Sequence, residues 1–257
     1  MRDQRILIGD YTRREFREML QAGTLKAAIV PTGTTEQHLE HLEMCHDSAS
    51  VTLVAHRAAT ALHPAVVVAP TVQVGVSEHH MMHPGTLTTR VGTFLDYVFD
   101  ICESITRAGI ERVLILNGHG GHMHPLRKEL TRYRQLLGPG IVYATYWDLY
   151  SDDEVYSLVR SKRVPGHANE FETAFALAGF PERVHEEAIE DAGAGLATRE
   201  QGERAIEIVV PHVERLLRRM IAGESPTVEP RSFRPEGTLV GAESFPYQAG
   251  RTESDGC

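Results

Sequence analysis

The 257-residue sequence predicts an α/β fold in which a mostly parallel sheet is covered by helices on both faces. Two observations carry that expectation. Short runs rich in Val, Ile, Leu and Ala recur at Ala27 to Val30, Ala65 to Ala69, Arg112 to Leu116 and Ile141 to Tyr146, and longer segments of helical periodicity separate them. The runs are apolar throughout rather than alternating, as expected of strands buried on both sides.

Taken in order, Tyr11 to Ala22 sets charged residues around Phe16, Met19 and Leu20 and stops at Gly23, which suits an amphipathic surface helix. The first strand follows and leads into Pro31 to Asp47. Asp47 or Ser48 can cap a helix reaching about Leu62, with Val51, Val54, Ala55, Ala58 and Ala59 on one face. After the second strand, closed by Pro70, a long loop from Thr71 to Thr86 carries His79, His80 and His83. A third helix starts at Thr88 or Thr89 and ends near Gly109; the third strand then runs into Asn117-Gly-His-Gly-Gly-His122. Pro125 suits the first turn of a helix to about Leu137, and the fourth strand comes next. Asp152 to Lys162 and a short segment beyond His167, stopping near Gly179, read as helices. A last helix spans about Thr198 to Ala222, with a kink expected at Pro211. Residues 1–223 are thus expected to form one domain, and the Pro-rich stretch 224–257 an irregular tail packing on it or on a neighbouring subunit.

Composition narrows the function. Apolar residues make up 42% and charged residues 24%, as in ordinary globular proteins, while a net charge of -9 disfavours nucleic acid and anionic membranes as partners. No secretory apolar core and no run of about 20 apolar residues is visible, so a cytoplasmic location is expected. Three cysteines are too few and unpatterned for a disulfide framework or thiolate zinc site, and Cys45 reads as a half-buried thiol.

The histidines are not scattered. Ten of fourteen fall in the segments beginning at Pro31, Thr71 and Asn117, the last counted as far as His124, and around His167. Three of these segments directly follow a strand, and active sites of parallel sheets lie beyond the strands' carboxyl ends, so they should converge. The first holds Glu36, His38, His41, His46 and Asp47, a mixed nitrogen and oxygen set suited to zinc, manganese or iron. Glu36 and His38 alternate and would face one side; Asp47 could return there at a helix start, or serve only as an N-cap. The glycines around His119 permit close approach of an ion or ligand, which also makes Gly120 a candidate substrate contact. Ser77 and His79 are candidate substrate-binding residues, and His167 a candidate proton carrier. Glu170 and Glu172 diverge by about 200° at roughly 100° per residue, so one of them faces the site. Glu172, ahead of Thr173, Phe175 and Leu177, is read as the inward one. Glu170 is kept as a candidate catalytic carboxylate, with a solvated first turn as its alternative.

Together the segments resemble the creatininase (creatinine amidohydrolase) family. The resemblance rests on Gly33, Thr34, Glu36, Gln37, His38 and Asp47, on Gly75, Ser77, His79 and Pro84-Gly85-Thr86, on Asn117 to Gly121, and on His167-Ala168 with Glu172-Thr173. It implies an α/β/α sandwich, one or two divalent metal ions, hydrolysis of non-peptide amide bonds in a small-molecule substrate, and a homo-oligomer such as a hexamer. Carried over by motif, Glu36, His38, Asp47 and His119 would bind metal. Creatininase itself has a Glu where Gly121 stands, and in Gly-Gly members the missing carboxylate would come from Glu172. The sequence also departs from the family pattern. Leu39 and Glu40 replace the usual Gly and Pro and, with His41, are expected to shape substrate choice; Gly166 stands where creatininase has a catalytic Glu. The resemblance implies water activated by the ion and a small, cyclic amide as substrate. Relatives that open an oxidised cyclitol by carbon-carbon hydrolysis, or mature a cofactor peptide, supply the alternatives.

Overall fold

The computed structural model describes residues 5–162 and 164–231. Its centre is a four-stranded parallel sheet of β1 (Ala27–Thr32), β2 (Val66–Val68), β3 (Val113–Asn117) and β4 (Ile141–Thr145), in the order β2-β1-β3-β4. Every strand residue is buried, which is why the runs lack alternation. One face, through Ile29, Leu114, Leu116 and Val142, packs on α2 (His46–Ala61), α6 (Glu170–Gly179) and α7 (Arg199–Ile221). The short α5 (Asp152–Leu158) joins that layer through Val155 and Leu158. The other face, through Ala28, Val30, Ile115 and Tyr143, packs on α3 (Val91–Arg107) and α4 (Met123–Leu137), with α1 (Arg13–Gln21) at its margin. The result is a three-layer α/β/α sandwich. Among the described residues no helix is long and apolar enough to cross a membrane.

The boundaries differ from expectation in ways that local chemistry explains. β1 continues through Pro31, which pairs with Leu116 on β3 while its carbonyl accepts from Val72 N–H at 3.0 Å on the other side. Pairing with β2 has ended at Ile29, so the N–H that proline lacks would have had no strand partner. α5 stops at Leu158 rather than Lys162 because the N–H groups of Arg160 and Ser161 donate to the Glu170 carboxylate at 2.9 and 2.7 Å. α2 starts at His46, α3 at Val91, and β4 gives way to a 3-10 turn at Tyr146. The last helix, where a kink was expected, is one continuous element through Pro211. Of the expected tail, residues 224–231 carry no helix or strand, and the rest lies outside the described residues.

α6 is held to α7 at unusually short range. A Cβ on Gly202 would stand 1.8 Å from the Ala174 carbonyl oxygen, so only glycine lets the two backbones meet. Gly202→Ala should therefore push α6 outward, an overpacking cost of about 1–3 kcal/mol. Differential scanning calorimetry should show a melting temperature lower by roughly 2–12 °C, at about 2–4 °C per kcal/mol for a chain of this size.

Candidate metal centre

The parallel register brings Thr32, Asn117 and Thr145 side by side at the carboxyl edge of the sheet. Asn117 organises the glycine-rich loop beyond β3. Its Nδ2 donates to the His119 carbonyl at 2.7 Å and to Thr145 Oγ1 at 3.2 Å, while its Oδ1 accepts from His119 N–H at 3.1 Å. His119 is thereby turned over the edge, toward the first turn of α2 and the loop after β1.

Glu36, His38, Asp47, His119 and Glu172, the predicted ligands, are all buried there together. Asp47 stands between the imidazoles: Oδ1 is 3.1 Å from His38 Nε2 and Oδ2 is 2.8 Å from His119 Nδ1. Glu36 Oε1 lies 3.4 Å from the same His119 nitrogen, and Glu172 Oε2 lies 4.0 Å from His38 Nε2. Each imidazole has its other nitrogen on a backbone carbonyl, His38 Nδ1 at 3.1 Å from Glu36 O and His119 Nε2 at 2.8 Å from Val76 O. A carbonyl only accepts, so those nitrogens carry the ring protons. The nitrogens facing the carboxylates are then the ones whose lone pairs can bind an ion, the orientation that metal-ligating histidines take. Buried oxygens and imidazole nitrogens at 3–4 Å separation fit divalent zinc or manganese.

Without an ion, protons balance the charge. Burial opposes ionisation of Glu36, yet His119 beside it holds its carboxyl down to about 2. Burial would lower His38, but Asp47 above all raises it to about 9; His119 is likewise raised, by Glu36 and Asp47. Glu172 is pushed up to about 8 by burial, with the charges of Asp47 and Glu36 adding to the shift. A divalent ion would replace these protons.

The remaining predicted residues divide. His79 and Gly120 line the cleft above the cluster, with His80, Met123, Trp147, Pro165, Gly166 and His167; including its open mouth it measures about 520 Å³. Ser77 is buried and does not line the cleft; its hydroxyl donates to Glu36 Oε2. Burial, then the nearby His38, lowers His167 to about 3, so it is neutral in the ion-free site rather than titrating near neutrality. Glu170 is a correction: buried but turned away, its carboxylate accepts from Arg160, Ser161 and Gln201. Leu39, Glu40 and His41 do not line the cleft either; the first two are exposed and His41 bonds Thr173. Leu39 has φ of 56°, which accounts for glycine being usual at this position in the family pattern. At Gly121 a Cβ would lie 2.2 Å from Val76 O and 2.5 Å from His119 Nε2. No carboxylate can be borne there as the loop stands, and Glu172 supplies one from α6.

Sequence reasoning gave Gln37 and Trp147 no chemical role, and it set His46 among the possible donors of the first loop without carrying it into the ligand set. Gln37 Nε2 lies 2.8 Å from His80 Nδ1 and 2.7 Å from His167 Nε2, while its Oε1 accepts from Leu39 N–H. An amide nitrogen only donates, so both rings accept from it and keep their protons on the opposite nitrogens. Trp147 lines the cleft with its Nε1–H buried and unpartnered. Its signal was its place just past the carboxyl end of β4. His46, adjacent to Asp47, is buried within the same cluster. A more open depression lined by Ala61, Leu62, Ala65, Arg218 and Ile221 holds no comparable set of groups.

The profile of one protein family, described as creatinine amidohydrolase, matches residues 9–238. The chain is 25% identical over 296 residues to a 3-dehydro-scyllo-inosose hydrolase of Thermotoga maritima, covering 93% of this chain and 92% of that protein. It is 24% identical over 253 residues to a creatinine amidohydrolase of Pseudomonas putida, covering 83% and 96%. A mycofactocin precursor peptide peptidase of Mycobacterium ulcerans is 28% identical over 168 residues, covering 63% and 61%. A crystal structure of creatinine amidohydrolase superposes with a TM-score of 0.76 at 24% identity, over 86% of this chain and all 100% of that one. A manganese creatininase gives 0.74 at 25% identity, over 84% and 99%.

The charge balance sets a pH profile for the ion-free protein. His38, raised from 6.5 to about 9, and Glu172, raised from 4.5 to about 8, lie above their unfolded values, so their contribution is lost progressively as pH rises across those intervals and is gone above about 9. His46 and His167 at about 3 and His79 at about 4 lie below theirs, so stability is lost as pH falls below about 6.5. Chelator-treated protein should melt highest at about pH 6–7, and saturating zinc or manganese should cancel the alkaline loss, since the ion binds deprotonated ligands. Thermal melts from about pH 5 to 9, with and without ion, read both effects.

Proposed function

The chain belongs to the creatininase family of metal-dependent amidohydrolases, and we propose that it hydrolyses a small, non-peptide, cyclic amide at a centre of two divalent ions. The observation that carries this reading is Asp47, whose two oxygens face two separate donor sets. Glu36, Asp47 and His119 would hold one ion, and His38, Asp47 and Glu172 the other. Bound there, divalent ions would make water nucleophilic at neutral pH and polarise a carbonyl.

The chain's own groups do the rest. The Trp147 Nε1–H, buried without a partner on the cleft wall, supplies a hydrogen bond for a substrate oxygen or nitrogen. Met123 and Pro165 give that wall apolar area. Gln37 holds His167 with its proton on Nδ1, which lies 3.7 Å from Glu36 Oε1. Once Gln37 turns away, His167 takes up at Nε2 the proton that the attacking water loses and passes its Nδ1 proton to the departing nitrogen, so the transfer is a relay through the ring and leaves it neutral. Ser77 positions Glu36. The enclosed space of the cleft is only about 60 Å³, which suits a compact molecule better than a peptide segment.

One observation favours a second reading. Gly166 lines the cleft, and its Cβ position is filled by Asn169 Nδ2 at 1.9 Å, so the carboxylate that the resemblance places there in creatininase has no counterpart. A cyclic ketone opened by carbon-carbon hydrolysis asks only for a proton to be placed on the departing carbon, which His167 could supply. A homo-oligomer belongs to this proposal too, with exposed Met82 and Tyr97 as apolar surface for it, and light scattering measures its size.

His38→Ala should lose metal, by elemental analysis, and lower kcat/KM by at least about a thousandfold. Wild-type protein loaded with zinc or manganese, offered cyclic amides, keto-inositols and a short peptide, should turn over the amides. Turnover of the keto-inositols alone selects the second reading, and metal-free activity retained in His38→Ala overturns both.

A further inference from the structure

His46 belongs to neither of the two donor sets around Asp47, yet its surroundings are those of a ligand. It is the first residue of α2, buried to 2% relative exposure, and one turn from Ser50. Ser50 Oγ lies 2.8 Å from the His46 carbonyl oxygen and 3.2 Å from His46 Nε2. The carbonyl can only accept, so the Ser50 hydroxyl spends its proton there and can only accept from the ring. The proton of His46 therefore sits on Nε2. Its Nδ1 carries a lone pair, is buried, and has no hydrogen-bond partner. Leaving such a group unpaired is costly, and cores normally avoid it.

A nitrogen of this ring lies within 4.8 Å of ligand atoms of His38, Asp47 and Glu172, all four groups being buried. The ring leans on His38, with centroids 4.9 Å apart, and meets the edge of Phe180 at 5.6 Å, so it is held in place from both sides. A fixed neutral imidazole, with one nitrogen donating to a hydroxyl, the other without a hydrogen bond, and the ring set beside two carboxylates and a second imidazole, has the outer-sphere support that metal-ligating histidines use.

We propose that His46 Nδ1 is a sixth protein ligand, coordinating the ion held by His38, Asp47 and Glu172. The inference rests on the two-ion reading and makes the two positions chemically unequal. One would carry two imidazoles and two carboxylates, the other one imidazole and two carboxylates. Nitrogen-rich sites favour zinc and oxygen-rich sites suit manganese, so the two positions should differ in metal preference.

The wild-type protein tests this without substitution. Protein labelled with 15N-histidine is stripped of metal and loaded with two equivalents of 113Cd, and imidazole nitrogens showing one-bond coupling to cadmium are identified by NMR. The expected result is coupling at His38 Nε2, His119 Nδ1 and His46 Nδ1, with His38 and His46 coupled to the same cadmium resonance. In His46→Gln one coupled Nδ1 signal should disappear, and affinity at that position should fall by at least about 10–100-fold while the other ion stays bound. Two bound ions with no coupling to His46 overturn the assignment and leave the two-ion reading intact. Failure of cadmium, zinc and manganese to bind at either position overturns both.

Discussion

Asp47 shares its carboxylate between two imidazoles, Oδ1 toward His38 and Oδ2 toward His119, and the rest of the site is arranged around that sharing. Three carboxylates, Glu36, Asp47 and Glu172, are buried within reach of one another, a concentration of negative charge that the interior tolerates only with positive charge among them. In the ion-free state protons on His38, His119 and Glu172 supply it. Those are the groups raised above their ordinary values, and they are also the groups a cation must deprotonate to bind.

Holding such a set requires rigid supply lines from four separate stretches of chain. The parallel sheet furnishes two of them, because β1 and β3 end in register and release their loops at the same edge. α2 delivers Asp47 from its first turn, and α6, seated against α7 at Gly202, delivers Glu172. Around these stand groups that touch no ion but fix those that would: Asn117 behind His119, Ser77 behind Glu36, and Ala168 N–H behind Glu172 at 2.5 Å.

The fold was legible because each strand is a pure apolar run and each covering helix repeats its apolar face at helical spacing. The five donors were legible because they lie just past strand ends or in a helix's first turn, where chain direction is set by local rules. Glu172 followed from the 100° step of a helix, which set it apart from Glu170, and from its place ahead of Thr173, Phe175 and Leu177. Glu170 did not, because its partners are backbone N–H groups at the end of α5, a contact no local pattern encodes. His46 was visible as a histidine, but the state of its ring depends on which acceptor the Ser50 proton chooses. Leu39 drew attention as a departure from the family pattern and as part of a wall to the site. Its side chain faces solvent, and what the position records is a left-handed backbone.

Asn117 followed by Gly118 is also the dipeptide in which an asparagine is most easily attacked by the next backbone nitrogen and converted to aspartate. Here the attacking nitrogen is occupied, since Gly118 N–H donates to the Thr32 carbonyl at 2.8 Å, and the carboxamide is spent on His119 and Thr145. The hydrogen bonds that aim His119 therefore also protect the chain from chemical ageing at its most vulnerable bond. Deamidation would turn a donor into an acceptor beside the His119 carbonyl and add a fourth negative charge near the cluster. Attack at this dipeptide therefore requires these hydrogen bonds, and with them this edge of the sheet, to open first.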